Sequence, residues 1–161
     1  MHLPINIIKS IQKWGETKFM IKKLNNKDIN KIMEIWEKST IKAHDFISKE
    51  YWQNNYNTVK NEYIPISDTF VYDDGDEIKG FISIIDKSFI GALFIKPKYQ
   101  NLGIGGKLLD YATKKYKSLS LAVYKDNKKA VVFYNKKGFN IVKEQVNEDS
   151  GFKEYIMEYS K

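Results

Sequence analysis

The stretch Gln100-Asn101-Leu102-Gly103-Ile104-Gly105-Gly106 follows an apolar, strand-like run from Ser88 to Ile95 and opens a helix-like run from Lys107 to Lys115. Glycines let a backbone turn tightly and approach a ligand closely. The unpaired N–H groups at a helix start, reinforced by the helix dipole, attract an anion. The stretch therefore predicts a cradle for a phosphorylated cofactor. Further along, Asn127 brings an amide and Tyr134 a phenol, both in a helix-like segment. Upstream, His44 stands beside Asp45 and Phe46 in a loop between two helix-like runs.

Two common phosphate-loop spacings do not fit. A Walker loop needs glycine where Asn101 stands and Ser or Thr where Leu108 stands. A dinucleotide loop needs a third small residue at Leu108 and an acidic residue ending a second parallel strand about twenty positions on, which is missing. What remains is Gln-x-x-Gly-x-Gly. It resembles the acyl-coenzyme A signature of the GCN5-related N-acetyltransferases: Arg or Gln, two variable residues, Gly, one variable residue, Gly or Ala. The segment Ala130-Val131-Val132-Phe133-Tyr134-Asn135-Lys136-Lys137-Gly138-Phe139 is similar to the family's A-x-x-F/L-Y-x-x-x-G-F. His44-Asp45-Phe46 resembles the motif of the family's YjaB-like bacterial branch.

The resemblance implies acetyl-CoA as cofactor and direct attack of an amine on its thioester. Gln100, Asn101, Leu102, Gly103, Ile104, Gly105, Gly106 and Lys107 would hold the phosphates. Backbone N–H groups of the preceding strand, among Leu93, Phe94 and Ile95, would face the thioester carbonyl. Tyr134 takes the place of the family's general acid: a free phenol's pKa, about 10, lies above a thiol's, about 8.5. Periodicity alone favours a packed core aromatic at Tyr134, and it is the matched segment that points to the general acid. Asn127 matches the asparagine that contacts the pantetheine arm, and is also a favoured helix N-cap. The proton of the attacking amine has three candidate destinations, because Ser88 to Ile95 contains no carboxylate. They are His44, an acid from a neighbouring element such as Glu154, or a chain of water. His44, Phe46, Trp52 and Glu154 are the expected acceptor-site residues, with Tyr56 as a further aromatic wall or core residue.

Positioning these groups requires a particular order of elements. Met20 to Leu24 reads as a strand, and Asn26 can cap a helix carrying Ile29, Ile32, Met33 and Trp36 on one face. Ser48 opens a second helix through Trp52, Tyr56, Val59 and Tyr63, ended by Pro65. Strands over Thr69–Tyr72 and Ile78–Ile85 flank the turn signal Asp74-Gly75-Asp76, and Asp86-Lys87 turns into Ile90–Ile95. Leu108, Leu109 and Ala112 give the next helix a buried face. A strand from Leu119 to Tyr124, a helix from Asn127 to Lys137 stopped by Gly138, and strands Phe139–Val146 and Tyr155–Tyr159 complete the chain. The order β, α, α, β, β, β, α, β, α, β, β predicts an α/β protein of mixed α+β type, a largely antiparallel mixed sheet flanked by helices. The resemblance names it the acyl-CoA N-acyltransferase fold.

Bulk properties exclude other classes. The chain has 161 residues, no cysteine and two histidines, His2 and His44, which rules out disulfides, thiolate metal sites and a cysteine nucleophile and leaves no metal expected. The formal charge of +7 suggests nucleic acid, but all 27 basic residues are lysine. Base and phosphate recognition leans on arginine's bidentate fork, so no nucleic-acid partner is expected. No apolar run approaches the roughly eighteen residues that span a bilayer, so no membrane partner and a cytoplasmic location are expected. Residues 1–19 form a separate extension with helical spacing of Ile5, Ile8, Ile11 and Trp14, lying upstream of the domain at 20–161 and of Met20 as a second possible start. The expected acceptor is the amine of a small molecule, peptide or protein, with the enzyme a monomer or homodimer. A different class, an acetyl-CoA-binding sensor without turnover, is the alternative.

Overall fold

A computed structural model describes residues 20–161; the extension at 1–19 lies outside the described residues. Seven strands form one sheet in the order β1-β2-β3-β4-β5-β7-β6. They are β1 (Met20–Lys23), β2 (Ser67–Asp73), β3 (Ile78–Ile85), β4 (Phe89–Ile95), β5 (Ser118–Tyr124), β6 (Asn140–Val146) and β7 (Lys153–Ser160). Helices α1 (Ile29–Ala43) and α2 (Lys49–Thr58) lie between β1 and β2, α3 (Ile104–Lys115) between β4 and β5, and α4 (Lys128–Lys136) between β5 and β6. Every neighbouring pair is antiparallel except β4 and β5.

Strand alternation sends successive side chains of the nearly all-apolar β3 to opposite faces. Phe81 packs in a core with Ile32, Met33, Ile35 and Trp36 of α1. Ile82 and Ile84 pack on the other face with Leu108, Leu109 and Ala112 of α3. The sheet is thus covered on both sides, and truncating any of these fully buried leucines to alanine costs about 2–5 kcal/mol. Asp86 and Lys87 both adopt positive φ as the central residues of a primed turn closed by Ser88 N–H to Ile85 O at 3.1 Å.

Local signals and structure differ in places. The Ser48 side chain accepts the Tyr51 N–H at 3.3 Å, as an N-cap should. Asn25, not Asn26, caps the turn before α1. Pro65 does not end the second helix: α2 runs on through a π turn, Val59–Tyr63, and Pro65 sits in the first turn of the short helix Ile64–Ile66. Proline is tolerated there because a first-turn N–H has no partner to lose.

The feature that makes a site is a failure of pairing. β4 and β5 touch only at Phe89↔Ser120 and Ile90↔Leu121. On the β3 side, Ile84 pairs Ile90 while Ser83 pairs Ala92, so Gly91 is the extra residue of a bulge. Beyond it β4 stays with β3 and leaves β5, opening a wedge in the middle of the sheet.

Candidate active site

One side of the wedge is a groove of about 640 Å³ beneath the start of α3. The loop entering that helix places Asn101 at φ 64° and Gly103 at φ 84°. A side chain at Gly103 would be strained by that backbone. The first rung of the helix ladder is Lys107 N–H to Gly103 O at 3.1 Å, so the N–H groups of Ile104, Gly105 and Gly106 precede it and face outward as donors. Lys137 from the end of α4 reaches the same turn, where its Nζ pairs with Asp110 Oδ1 at 3.1 Å.

The groove fits the coenzyme predicted from sequence. A Cβ on Gly103 would meet no atom within 4 Å and one on Gly105 none closer than 3.7 Å, so the cradle is open at these two glycines, while one on Gly106 would meet Lys137 Nζ at 3.1 Å. Donors and helix dipole suit a pyrophosphate, and Leu93, Ile95, Ala130 and Phe133 form apolar walls for a thin arm. The Gln100 side chain does not point outward: its Nε2 donates to Ile95 O at 3.1 Å, and the Ser39 hydroxyl donates to the same oxygen at 2.9 Å. These two donors pin the loop and α1 to the β4 edge. Lys96 N–H bonds back to Lys79 O on the β3 side, so by alternation the N–H groups of Leu93 and Ile95 point into the wedge. Of the predicted cofactor residues, all line this groove except Leu102, whose side chain is 66% exposed and turned to solvent.

The other side of the wedge is a second cavity of about 710 Å³. It shares Leu93, Phe94, Asn127, Ala130 and Tyr134 with the groove, so the two meet at the β4 edge and α4. Tyr134 is 9% exposed and its ring packs on Phe133 and Phe139. Its hydroxyl has no hydrogen-bond partner among the described residues, and burial pushes the phenol above its ordinary range. The ring thus packs in the core while the residue lines both cavities.

His44 is buried in the wall of the second cavity. Its Nδ1 lies 2.8 Å from Thr40 O, an obligate acceptor, which places the proton on Nδ1. Nε2 then accepts from Asn127 Nδ2 at 3.3 Å. Burial lowers the His44 pKa, against the Thr40 hydrogen bond and the nearby Asp45 charge, and keeps the ring neutral. Asn127 Oδ1 meanwhile caps α4 through Ala130 N–H at 3.3 Å. Trp52 and Glu154 line the same cavity, with Trp52 stacked 4.9 Å from the His44 ring. Phe46 does not line it; it stands behind His44, edge-on at 5.8 Å, against Tyr124 and Phe152. Tyr56 likewise turns to Trp36 and stays outside the lining.

Glu154 is an expected acceptor-site residue, whereas Tyr51, Asn147 and Asp149, which also line this cavity, carry no sequence signal. Glu154 is 4% exposed and its Oε1 accepts from Asn147 Nδ2 at 2.8 Å. The turn between β6 and β7 is tied down by Tyr51 Oη donating to Asp149 Oδ2 at 2.6 Å and Tyr124 Oη to Ser150 Oγ at 3.0 Å. Read locally, residues 147–152 are only a polar turn; the tyrosines that hold them come from α2 and β5. Among the described residues, no group of three His, Cys, Asp or Glu is placed to hold a metal ion, and no helix is long and apolar enough to cross a membrane.

Comparison with known proteins places this geometry. The model of the acetyltransferase (GNAT) domain family matches residues 37–161. The peptidyl-lysine N-acetyltransferase YiaC of Escherichia coli is 33% identical over 123 residues, 76% of this chain and 84% of that protein. The peptidyl-lysine N-acetyltransferase YjaB of Salmonella typhimurium is 30% identical over 132 residues, 81% of this chain and 90% of that protein. Among solved structures, the apo form of YjaB from Escherichia coli superposes with a TM-score of 0.77 at 26% identity, covering 88% of this chain and 97% of that one. The PaiA N-acetyltransferase of Thermoplasma acidophilum, solved with coenzyme A, gives a TM-score of 0.73 at 22% identity over 89% and 99% of the two chains.

Proposed function

Because the chain belongs to the GNAT acetyltransferase family and is an acetyl-CoA-dependent N-acetyltransferase, we propose that residues 20–161 acetylate the side-chain amine of lysine in peptides or proteins, with Tyr134 as general acid. The observation that carries this reading is the position of Tyr134: its hydroxyl has no hydrogen-bond partner among the described residues, and the residue lines both a phosphate-binding groove and a second cavity with a buried carboxylate. The relatives' peptidyl-lysine activity supports the acceptor class.

When bound, acetyl-CoA supplies a thioester whose acetyl group is the one transferred. The α3 N-terminus holds the phosphates, and Leu93, Ile95, Ala130 and Phe133 exclude water from the arm. The outward N–H groups of Leu93 and Ile95 offer donors to a carbonyl oxygen on the β4 edge. On the acceptor side, Glu154 supplies a buried carboxylate, the group that β4 itself lacks. It draws the ammonium inward and receives the proton that the amine, with a pKa of about 10.4 when free, gives up on attack. Tyr134 Oη holds its proton at neutral pH and delivers it to the departing sulfur. His44, with Nδ1 on Thr40 and Nε2 on Asn127, shapes the wall and fixes Asn127.

A thiol-release assay with acetyl-CoA and lysine peptides tests this reading. Turnover that requires the peptide, with acetyl found on the lysine Nζ, is the expected result; turnover only with small-molecule amines would replace the acceptor class.

A further inference from the structure

The acceptor cavity differs in charge from the rest of the molecule. The chain has 27 basic residues, yet no lysine is among those lining this cavity, whereas Asp149 and Glu154 are. The two carboxylates stand at different depths. Glu154 lies buried on β7, and Asp149 lies exposed on the β6–β7 turn. Asn147 sets both: Nδ2 donates to Glu154 Oε1 at 2.8 Å, and Oδ1 accepts the N–H of Asp149 at 3.1 Å and of Ser150 at 3.0 Å. Tyr51 Oη fixes the Asp149 carboxylate from the other side. The Tyr134 side chain, on a residue 9% exposed and without a hydrogen-bond partner among the described residues, lines this cavity and independently marks it as built for a ligand.

A lysine whose amine reaches the buried level of Glu154 leaves its peptide backbone at the cavity mouth, because the stem is only four methylenes long. Residues adjacent in an extended peptide follow at about 3.3–3.6 Å each. Their side chains therefore meet the level of Asp149. Resting on the peptidyl-lysine reading above, we propose that Asp149 is a specificity residue that recognises a second positive charge, a basic side chain flanking the reacting lysine. Tyr51 holds the carboxylate in one place, so little side-chain freedom is lost when the cation arrives.

The test uses three peptides identical except beside a single lysine, flanked by Arg, Ala or Glu; Arg adds charge without a second acceptor amine. At low ionic strength kcat/KM is expected to run Arg over Ala over Glu, with about tenfold between the extremes, and the spread should shrink in about 0.5 M salt. Asp149→Asn keeps an oxygen for Tyr51 to donate to and should bring the Arg-to-Glu ratio to about one. Asp149→Glu should keep the preference, and Asp149→Lys should reverse it. Melting temperatures identify any variant that fails to fold. A wild-type ratio near one, or a preference that survives in folded Asp149→Asn, overturns the inference while the peptidyl-lysine reading stands. If no lysine peptide is acetylated, both fall.

Discussion

Asn127 donates through Nδ2 to His44 Nε2 at 3.3 Å while its Oδ1 caps α4 at Ala130 N–H. One amide therefore joins the acceptor wall to the helix that carries Tyr134. Asn127→Ala removes the cap and His44's partner together, and should cost about 1 kcal/mol, or about 2–4 °C in Tm. Asn127→Asp retains the cap oxygen and puts a carboxylate beside the imidazole, which favours its charged form. The His44 pKa, followed by NMR titration, should rise in Asn127→Asp relative to wild type; an unchanged or lower value would mean that the two side chains do not meet.

His44 also predicts a pH dependence of stability. Burial lowers its folded pKa below the unfolded value of about 6.5. As pH falls below about 6.5 the unfolded chain takes up a proton that the folded one resists, so stability drops on acidification. The carboxylates held low by hydrogen bonds and ion pairs, such as Asp74 at about 2, lose their contribution only at more acidic pH. Thermal unfolding between pH 7.5 and 5.5 should show a loss of Tm in wild type that is smaller in His44→Gln. Equal slopes would place the titrating group elsewhere.

The two loop glycines should respond differently. Gly103 has φ 84°, so Gly103→Ala strains the entry to α3, costs about 1 kcal/mol or more, and weakens coenzyme A binding. Gly105 has ordinary φ and room for a methyl group, with Phe133 Cζ at 3.7 Å and Ile95 Cγ1 at 3.8 Å from the built Cβ. Gly105→Ala should keep both Tm and coenzyme A affinity near wild type. Calorimetric titration with coenzyme A separates the two variants, and a reversed order would contradict the geometry of the cradle.

Much of this was legible in the chain because it is local. The glycine spacing fixes the cradle, an apolar run bounded by turn signals fixes β3, and Asn127 with Gly138 brackets α4. What local pattern does not contain is the wedge. It arises because the β4–β5 pairing stops after Ile90 and Leu121, a long-range event. Glu154 shows the same limit: its neighbours along β7, Lys153 and Tyr155, say nothing of the burial that Asn147 and the tyrosines of distant elements impose. Phe46 errs the other way, since an aromatic beside a histidine looks like pocket lining and is packing behind it. Gln100 matches a binding motif, yet its side chain serves the loop through Ile95 O.

The most direct measurement is Tyr134→Phe, with coenzyme A binding and thiol release followed on the same preparation. The lost hydroxyl has no partner among the described residues, so nothing buried is left unpaired and the ring can keep its place on Phe133 and Phe139. Loss of about 100-fold or more in kcat, with the Kd for coenzyme A within about threefold of wild type and Tm unchanged, is the result expected of a general acid. Unchanged turnover, or a loss that merely tracks weaker binding or unfolding, would contradict that role.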